Sequence, residues 1–234
     1  MQKKKIVVNQ YFGIGDILFV EPICRYYWKQ GYEIVFPVIS KYLWIQDYIP
    51  YINFVDKESY NIDYECQTIT KIDGNIILPL RWSKEFMNSS SCKDTMRNKY
   101  LMLGFDLEKW RELAWIRHRW KEDKLMKLLG IEKDEKYNLI NKNYYSFENK
   151  SVKVEIKNDY KNIEMGFVEG FTLIDWGAVI ENATEIHTVN TSILYLMEKY
   201  DLKAKEINYY SRGCNGIDFK NVDYLFSKKY ILHK

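Results

Sequence analysis

Residues 5–22 constrain what this chain can fold into more than any other stretch. Lys5-Ile6-Val7-Val8 is a short run of β-branched residues, Gly13 and Gly15 punctuate a turn, and Ile17-Leu18-Phe19-Val20 opens an apolar helical segment. Strand, glycine-bearing turn and helix in immediate succession form the first unit of a doubly wound α/β domain. Such domains do their chemistry at that turn. Glycines there let the backbone approach a ligand, and the helix expected from about Ile17 presents unpaired N–H groups to the same space. Asp16 stands on the rim.

The residues around the glycine pair narrow its meaning. A dinucleotide fingerprint requires a third glycine, and Leu18 stands where it would be; a phosphate-cradling loop requires Gly-Lys-Ser/Thr, which the chain lacks. An acid at the turn would also repel a phosphate held directly against it. Two readings of Asp16 stand side by side: an N-cap whose carboxylate accepts a helix N–H, and a general base at the mouth of a cleft.

With 234 residues, 47% hydrophobic and 29% charged, the chain can bury a full core as one large or two small domains. A net charge of +3 with both signs interspersed does not call for nucleic acid, although it leaves open a weakly basic face toward anionic lipid. Lys3-Lys4-Lys5 precedes only three apolar residues, and no stretch approaches the roughly 20 apolar residues that span a bilayer, so a cytoplasmic protein without a transmembrane segment is expected. Cys24, Cys66, Cys92 and Cys214 are far apart and form no Cys-x-x-Cys pair, which favours free thiols over zinc or disulfides. Aromatic residues reach 16%, with 20 tyrosines and 7 tryptophans. Most must be packing, although pyranose rings also stack on aromatic walls.

Along the chain, strands are expected at Glu33–Val38, Asn53–Asp56 and Gly74–Leu80, with a short helix over Lys41–Asp47. Arg81 and Trp82 follow the last of these strands, at the carboxyl edge where ligands collect in open sheets. Arg81 is a candidate acceptor or phosphate contact, or a solvated arginine at a strand end. From Lys93 to Gly130 the sequence turns helical and rich in arginine and tryptophan; Arg97 or Arg119 could face a ligand, while packing with snorkelling arginines explains the rest. A domain boundary is expected there, dividing the chain into 1–128 and 129–234. The second half alternates strands (Tyr137–Asn141, Glu164–Val168, Thr184–Val189, Lys205–Tyr210) with helices (Leu173–Asn182, Thr191–Tyr200), and Ser151–Ile156 alternates like a hairpin arm. His187, within a strand, is expected to be a structural imidazole. Glu169 is either a ribose-binding acid or an acid at a helix N-terminus.

Gly15-Asp16-Ile17-Leu18-Phe19-Val20-Glu21-Pro22, followed by Arg25, resembles the amino-terminal signature of the lipopolysaccharide heptosyltransferase family. A second segment, Ala183 to Leu196, is similar to the family's donor-side strand, turn and helix. It departs from the pattern at Asn190, which replaces an aspartate, at Ser192, which replaces a glycine, and at Tyr195, which replaces a frequent histidine. The resemblance implies two doubly wound Rossmann-like domains facing a cleft, the GT-B arrangement, with an acceptor-side first domain and a compact donor-binding second domain. It also implies an inverting sugar transfer in which Asp16 deprotonates the acceptor.

On that basis the expected donor contacts are Gly15, Lys142, Asn143, Glu169, Gly170, Phe171, Asn190, Thr191 and Ser192, and the expected acceptor contacts are Arg81 and Arg97. The partners are a nucleotide-diphosphate sugar and a glycan or lipid-linked acceptor. No Asp-x-Asp triplet occurs, so neither metal nor other cofactor is expected. Two alternatives remain: a catalytically silent nucleotide-sugar or glycan-binding module of the same fold, and a nucleotide-binding enzyme of another reaction type.

Overall fold

The computed structural model describes residues 4–10, 13–72, 74–80, 92–145, 149–212 and 223–233, the side chains of 92–95, 145 and 149 excepted. The chain divides into two compact units, Met1–Ile116 and Arg117–Lys234. This division falls ahead of the boundary expected at 128/129, because the helix at 119–128 packs within the second unit.

The first unit is built on a sheet of strands β1 (Lys5–Val8), β2 (Glu33–Val38), β3 (Ile52–Asp56), β4 (Thr70–Ile72) and β5 (Asn75–Leu78), in the order β3-β2-β1-β5-β4. All pairs are parallel except β4 with β5. Helix α1 (Ile14–Lys29) makes the crossover from β1 to β2 and stops where Gly31 takes φ 89°, a left-handed conformation that glycine adopts without a Cβ penalty. On one face Val7, Val35 and Ile77 form a layer covered by Val55, Tyr60, Ile62 and Cys66. The connection from β3 to β4 thus covers that face without an α-helix.

Phe19 of α1 packs edge-on to Tyr100 of α2 (Cys92–Leu101) and against Trp110 of the 3-10 segment Leu107–Glu112, at centroid distances of 5.1 and 5.7 Å. Glu21 is fully buried yet satisfied. It accepts hydrogen bonds from the Ala114 N–H and the Tyr51 hydroxyl and pairs with Arg25 at 3.1 Å, as a carboxylate removed from water must.

The second unit opens with α3 (Arg119–Leu128), followed by β6 (Tyr137–Asn141), a two-stranded hairpin of β7 (Asn143–Tyr145) and β8 (Asn149–Ser151), and β9 (Lys161–Glu164). Next come the 3-10 turn Leu173–Trp176, α4 (Gly177–Asn182), β10 (Glu185–Val189), α5 (Ile193–Lys199), β11 (Glu206–Tyr210) and β12 (Ile231–His233). The main sheet is wholly parallel in the order β12-β11-β10-β6-β9. Its fifth strand, β12, had no clear sequence pattern. The strand expected at Glu164–Val168 lies earlier, at β9, because Asn162 pairs with Asn138 of β6 in register and in side-chain hydrogen bonding. Of the arm expected at Ser151–Ile156, Ser151 ends β8 of the hairpin and residues 152–156 follow as an irregular strap. Its Val152 and Val154 pack on Tyr144, Val189 and Tyr210.

Arg117 ties α3 to α4. Its guanidinium donates to both oxygens of Glu122 at 2.7 and 2.6 Å and to both oxygens of Glu181 at 2.5 and 2.8 Å, and it lies 4.4 Å from the Tyr200 ring centroid. Forked, charge-assisted bonds of this kind hold the guanidinium charged and keep the Glu181 carboxyl below the usual carboxylate range against the opposing effect of burial. A Cβ on Gly177 would lie 2.8 Å from an Arg117 nitrogen, so the helix approaches this network only through glycine. No helix among the described residues is long and apolar enough to cross a membrane.

Candidate active site

In the first unit the strand order reverses at β1. β2 and β3 extend to one side and β5 lies on the other, so the carboxyl ends of β1 and β5 bound a crevice of the kind in which open α/β sheets hold ligands. Four residues converge there: Gln10 beyond β1, Leu80 beyond β5, Asp16 from α1, and Lys99 from α2. The Lys99 side chain is 3% exposed. Its ammonium donates to Gln10 Oε1 at 2.5 Å and to the Leu80 carbonyl at 2.7 Å, and lies 3.3 Å from Asp16 Oδ1. An ammonium carries three donors, and three acceptors stand around this one. Asp16 itself is 37% exposed.

This geometry removes the N-cap reading of Asp16. α1 begins at Ile14, earlier than expected, with Gly13 as N-cap and no side-chain capping bond. Asp16 is the third residue of the helix, and its carboxylate turns to Lys99 instead of to a backbone N–H. Gly13 alone supplies the left-handed backbone, at φ 71°, and a Cβ there would lie 2.9 Å from Asp16 Oδ2. Gly15, expected to share that role, is an ordinary helical residue in the first turn of α1. Arg97 is exposed on α2, two residues before Lys99. Arg81 lies outside the described residues.

The second unit repeats the reversal at β6, with β9 on one side and β10 on the other. At that crevice Asn141 Nδ2 donates to Thr188 Oγ1 at 2.9 Å and Thr191 Oγ1 at 2.8 Å, binding the end of β6 to the end of β10. Asn190, Thr191 and Ser192 form a half-buried turn, and Ser192 is the N-cap of α5 without a side-chain capping bond.

Lys142 pairs with Glu164 at 2.7 Å, and Asn143 reaches the same carboxylate at 3.4 Å. The Lys142 contact holds the Glu164 carboxyl below its ordinary range. Because both partners are partly exposed, an entering anion could exchange for Glu164 at small cost. Glu169 and Gly170 are exposed on the loop after β9, Gly170 at φ 81°, and Phe171 is half-buried. The acid at the following helix start is Asp175, in a capping box with Thr172. That removes the helix-terminus reading of Glu169.

His187 is a buried imidazole within a strand, as expected, but it is only half satisfied among the described residues. Its Nδ1 lies 3.1 Å from the Tyr210 hydroxyl, and Nε2 has no hydrogen-bond partner. Lys99, Gln10, Asn141, Thr188 and Glu164 stand in or beside the two candidate crevices and were not singled out by sequence reasoning. Gln10 and Asn141 carried a signal, as polar residues where an apolar strand ends. Lys99 carried none.

Comparison of the sequence with protein-family models and with curated proteins finds no match. Among solved structures, the chain is similar to a glycosyl transferase family 9 protein from Veillonella parvula DSM 2008, with a TM-score of 0.58 at 12% identity, over 100% of this chain and 88% of that one. It also matches the iron-containing dodecameric glycosyltransferase TibC from enterotoxigenic E. coli H10407, with a TM-score of 0.47 at 10% identity, over 89% of this chain and 58% of that one. The chain therefore shares the fold of the Veillonella protein.

Proposed function

We propose that this chain is a glycosyltransferase that moves a sugar from a nucleotide-diphosphate donor to a hydroxyl of a glycan or lipid-linked acceptor. The observation that carries the reading is a carboxylate, Asp16, oriented by a buried ammonium at the switch point of a sheet whose fold is that of a glycosyl transferase family 9 structure. The acceptor oxygen attacks the anomeric carbon while Asp16 takes its proton. The bond from that carbon to the diphosphate oxygen breaks, and attack opposite the leaving group inverts the centre. The second unit holds the donor. Lys142, Asn143, Asn190, Thr191 and Ser192 offer cationic, amide and hydroxyl donors to the departing diphosphate without a metal ion, and Glu169 offers an acceptor to the ribose.

The test has two parts. With divalent ions chelated, one of the uridine, guanosine, adenosine or cytidine diphosphates stabilises the protein by about 2.7 kcal/mol at a hundredfold excess over its dissociation constant. Asp16→Asn lowers transfer by roughly 100- to 10,000-fold and leaves that nucleotide's affinity unchanged. Nucleotide binding without turnover in the wild type, across a broad donor and acceptor panel, selects the silent binding module. No response to any nucleotide refutes both.

A further inference from the structure

We infer that Lys99 is the positioning residue for Asp16, fixing the one orientation of its carboxylate in which an acceptor proton can be received. The inference rests on Asp16 being the base, and its argument is geometric. Lys99 reaches the crevice from a different helix and joins three separately positioned pieces of backbone: the end of β1 through Gln10, the end of β5 through the Leu80 carbonyl, and the first turn of α1 through Asp16 Oδ1. Gln10 is itself buried, so the anchor does not move with solvent. With Oδ1 engaged, Oδ2 is directed to the space beside Gly13, where the missing Cβ leaves room at 2.9 Å. One oxygen thus faces inward to a buried cation while the Asp16 side chain remains 37% exposed to solvent. A carboxylate held only by its own χ angles would sample several orientations, and small misplacements of a reacting group are costly in rate.

A stabilising core ion pair would give the same contacts, so the experiment reads what stability alone does not move. Lys99→Met, Lys99→Arg, Asp16→Asn and the double variant Asp16→Asn/Lys99→Met are compared for kcat, acceptor KM and nucleoside diphosphate affinity. Labelling of Asp16 by a water-soluble carbodiimide is followed by peptide mass spectrometry in the wild type and the variants that keep Asp16. Lys99→Met lowers kcat by roughly 10- to 100-fold, with KM and nucleotide affinity unchanged. It also raises Asp16 labelling, and Lys99→Arg recovers both properties. On the Asp16→Asn background the Lys99 substitution costs no further rate, because the two residues act as one unit.

Unchanged Asp16 labelling in Lys99→Met overturns the inference, as does an equal loss of rate on both backgrounds. If Lys99→Met does not fold, Lys99→Gln takes its place in the same comparison, with Lys99→Arg again as the recovery. Wild-type turnover in Asp16→Asn refutes the base assignment instead. Labelling then decides the role of Lys99 independently.

Discussion

Acidification should destabilise the second unit in part through His187, by an amount that follows from the surroundings of that residue. The side chain is 4% exposed on β10. Its Nδ1 meets the Tyr210 hydroxyl, His233 stacks on the Tyr210 ring at 4.5 Å, and the Glu185 carboxylate lies 3.6 Å from Nε2, beyond hydrogen-bond reach. Burial first, and then the charge of His233, push the imidazole down from 6.5 to about 4.

The unfolded chain therefore takes up this proton before the folded one does. The stability that His187 contributes is fully present above pH 6.5 and is lost as the pH falls toward 4. At 1.36 kcal/mol per pH unit the whole loss is roughly 3 kcal/mol. Urea unfolding of wild type and His187→Gln, followed by circular dichroism from about pH 7 down to pH 4.5, measures it. Carboxyls held low in the folded state, such as those of Glu164 and Glu181, lose their contributions in both proteins and cancel in the difference. The wild type should approach the variant by about 2 to 3 kcal/mol over that range. Parallel curves would mean that His187 titrates normally, and the account of its burial would be wrong.

Arg117→Met removes the partner of Glu122, which is 1% exposed and keeps only the 3.2 Å contact from Arg119. Chemical denaturation should show a loss of about 3–5 kcal/mol, part of it recovered by adding Glu122→Gln. Gly13→Ala places a Cβ against Asp16 Oδ2 and forces a left-handed alanine, at about 1–2 kcal/mol. Transfer should fall with it while nucleoside diphosphate affinity is kept, and loss of both would show that the turn serves donor binding.

The local plan of this protein was legible because it is written in local terms. The β-branched run before Gly13, the apolar stretches at Glu33–Val38 and Tyr137–Asn141, and the strand, turn and helix around Asn190 each carry their own periodicity, so the order of strands and helices followed from residues close in sequence. Asp16 stood out by its place beside the glycine turn after the first strand, which left both a capping and a catalytic reading open.

What Asp16 does in that turn could not be read locally. As an N-cap it would need only its own helix. In the structure it is joined to Lys99, a residue drawn to it by the packing of Phe19, Tyr100 and Trp110. The same holds for Glu164 on Lys142, and for Asn141 spanning Thr188 and Thr191, partners brought together by the parallel register of β6 with β9 and β10. The faces covered by the Tyr60–Cys66 segment and by the Val152–Val154 strap were equally hidden, because irregular chain has no period. Propensity and periodicity act over a few residues, and from them the sequence determined which elements exist. Which buried charge meets which partner depends on distances closed by the sheet and core, and only the tertiary structure decided that.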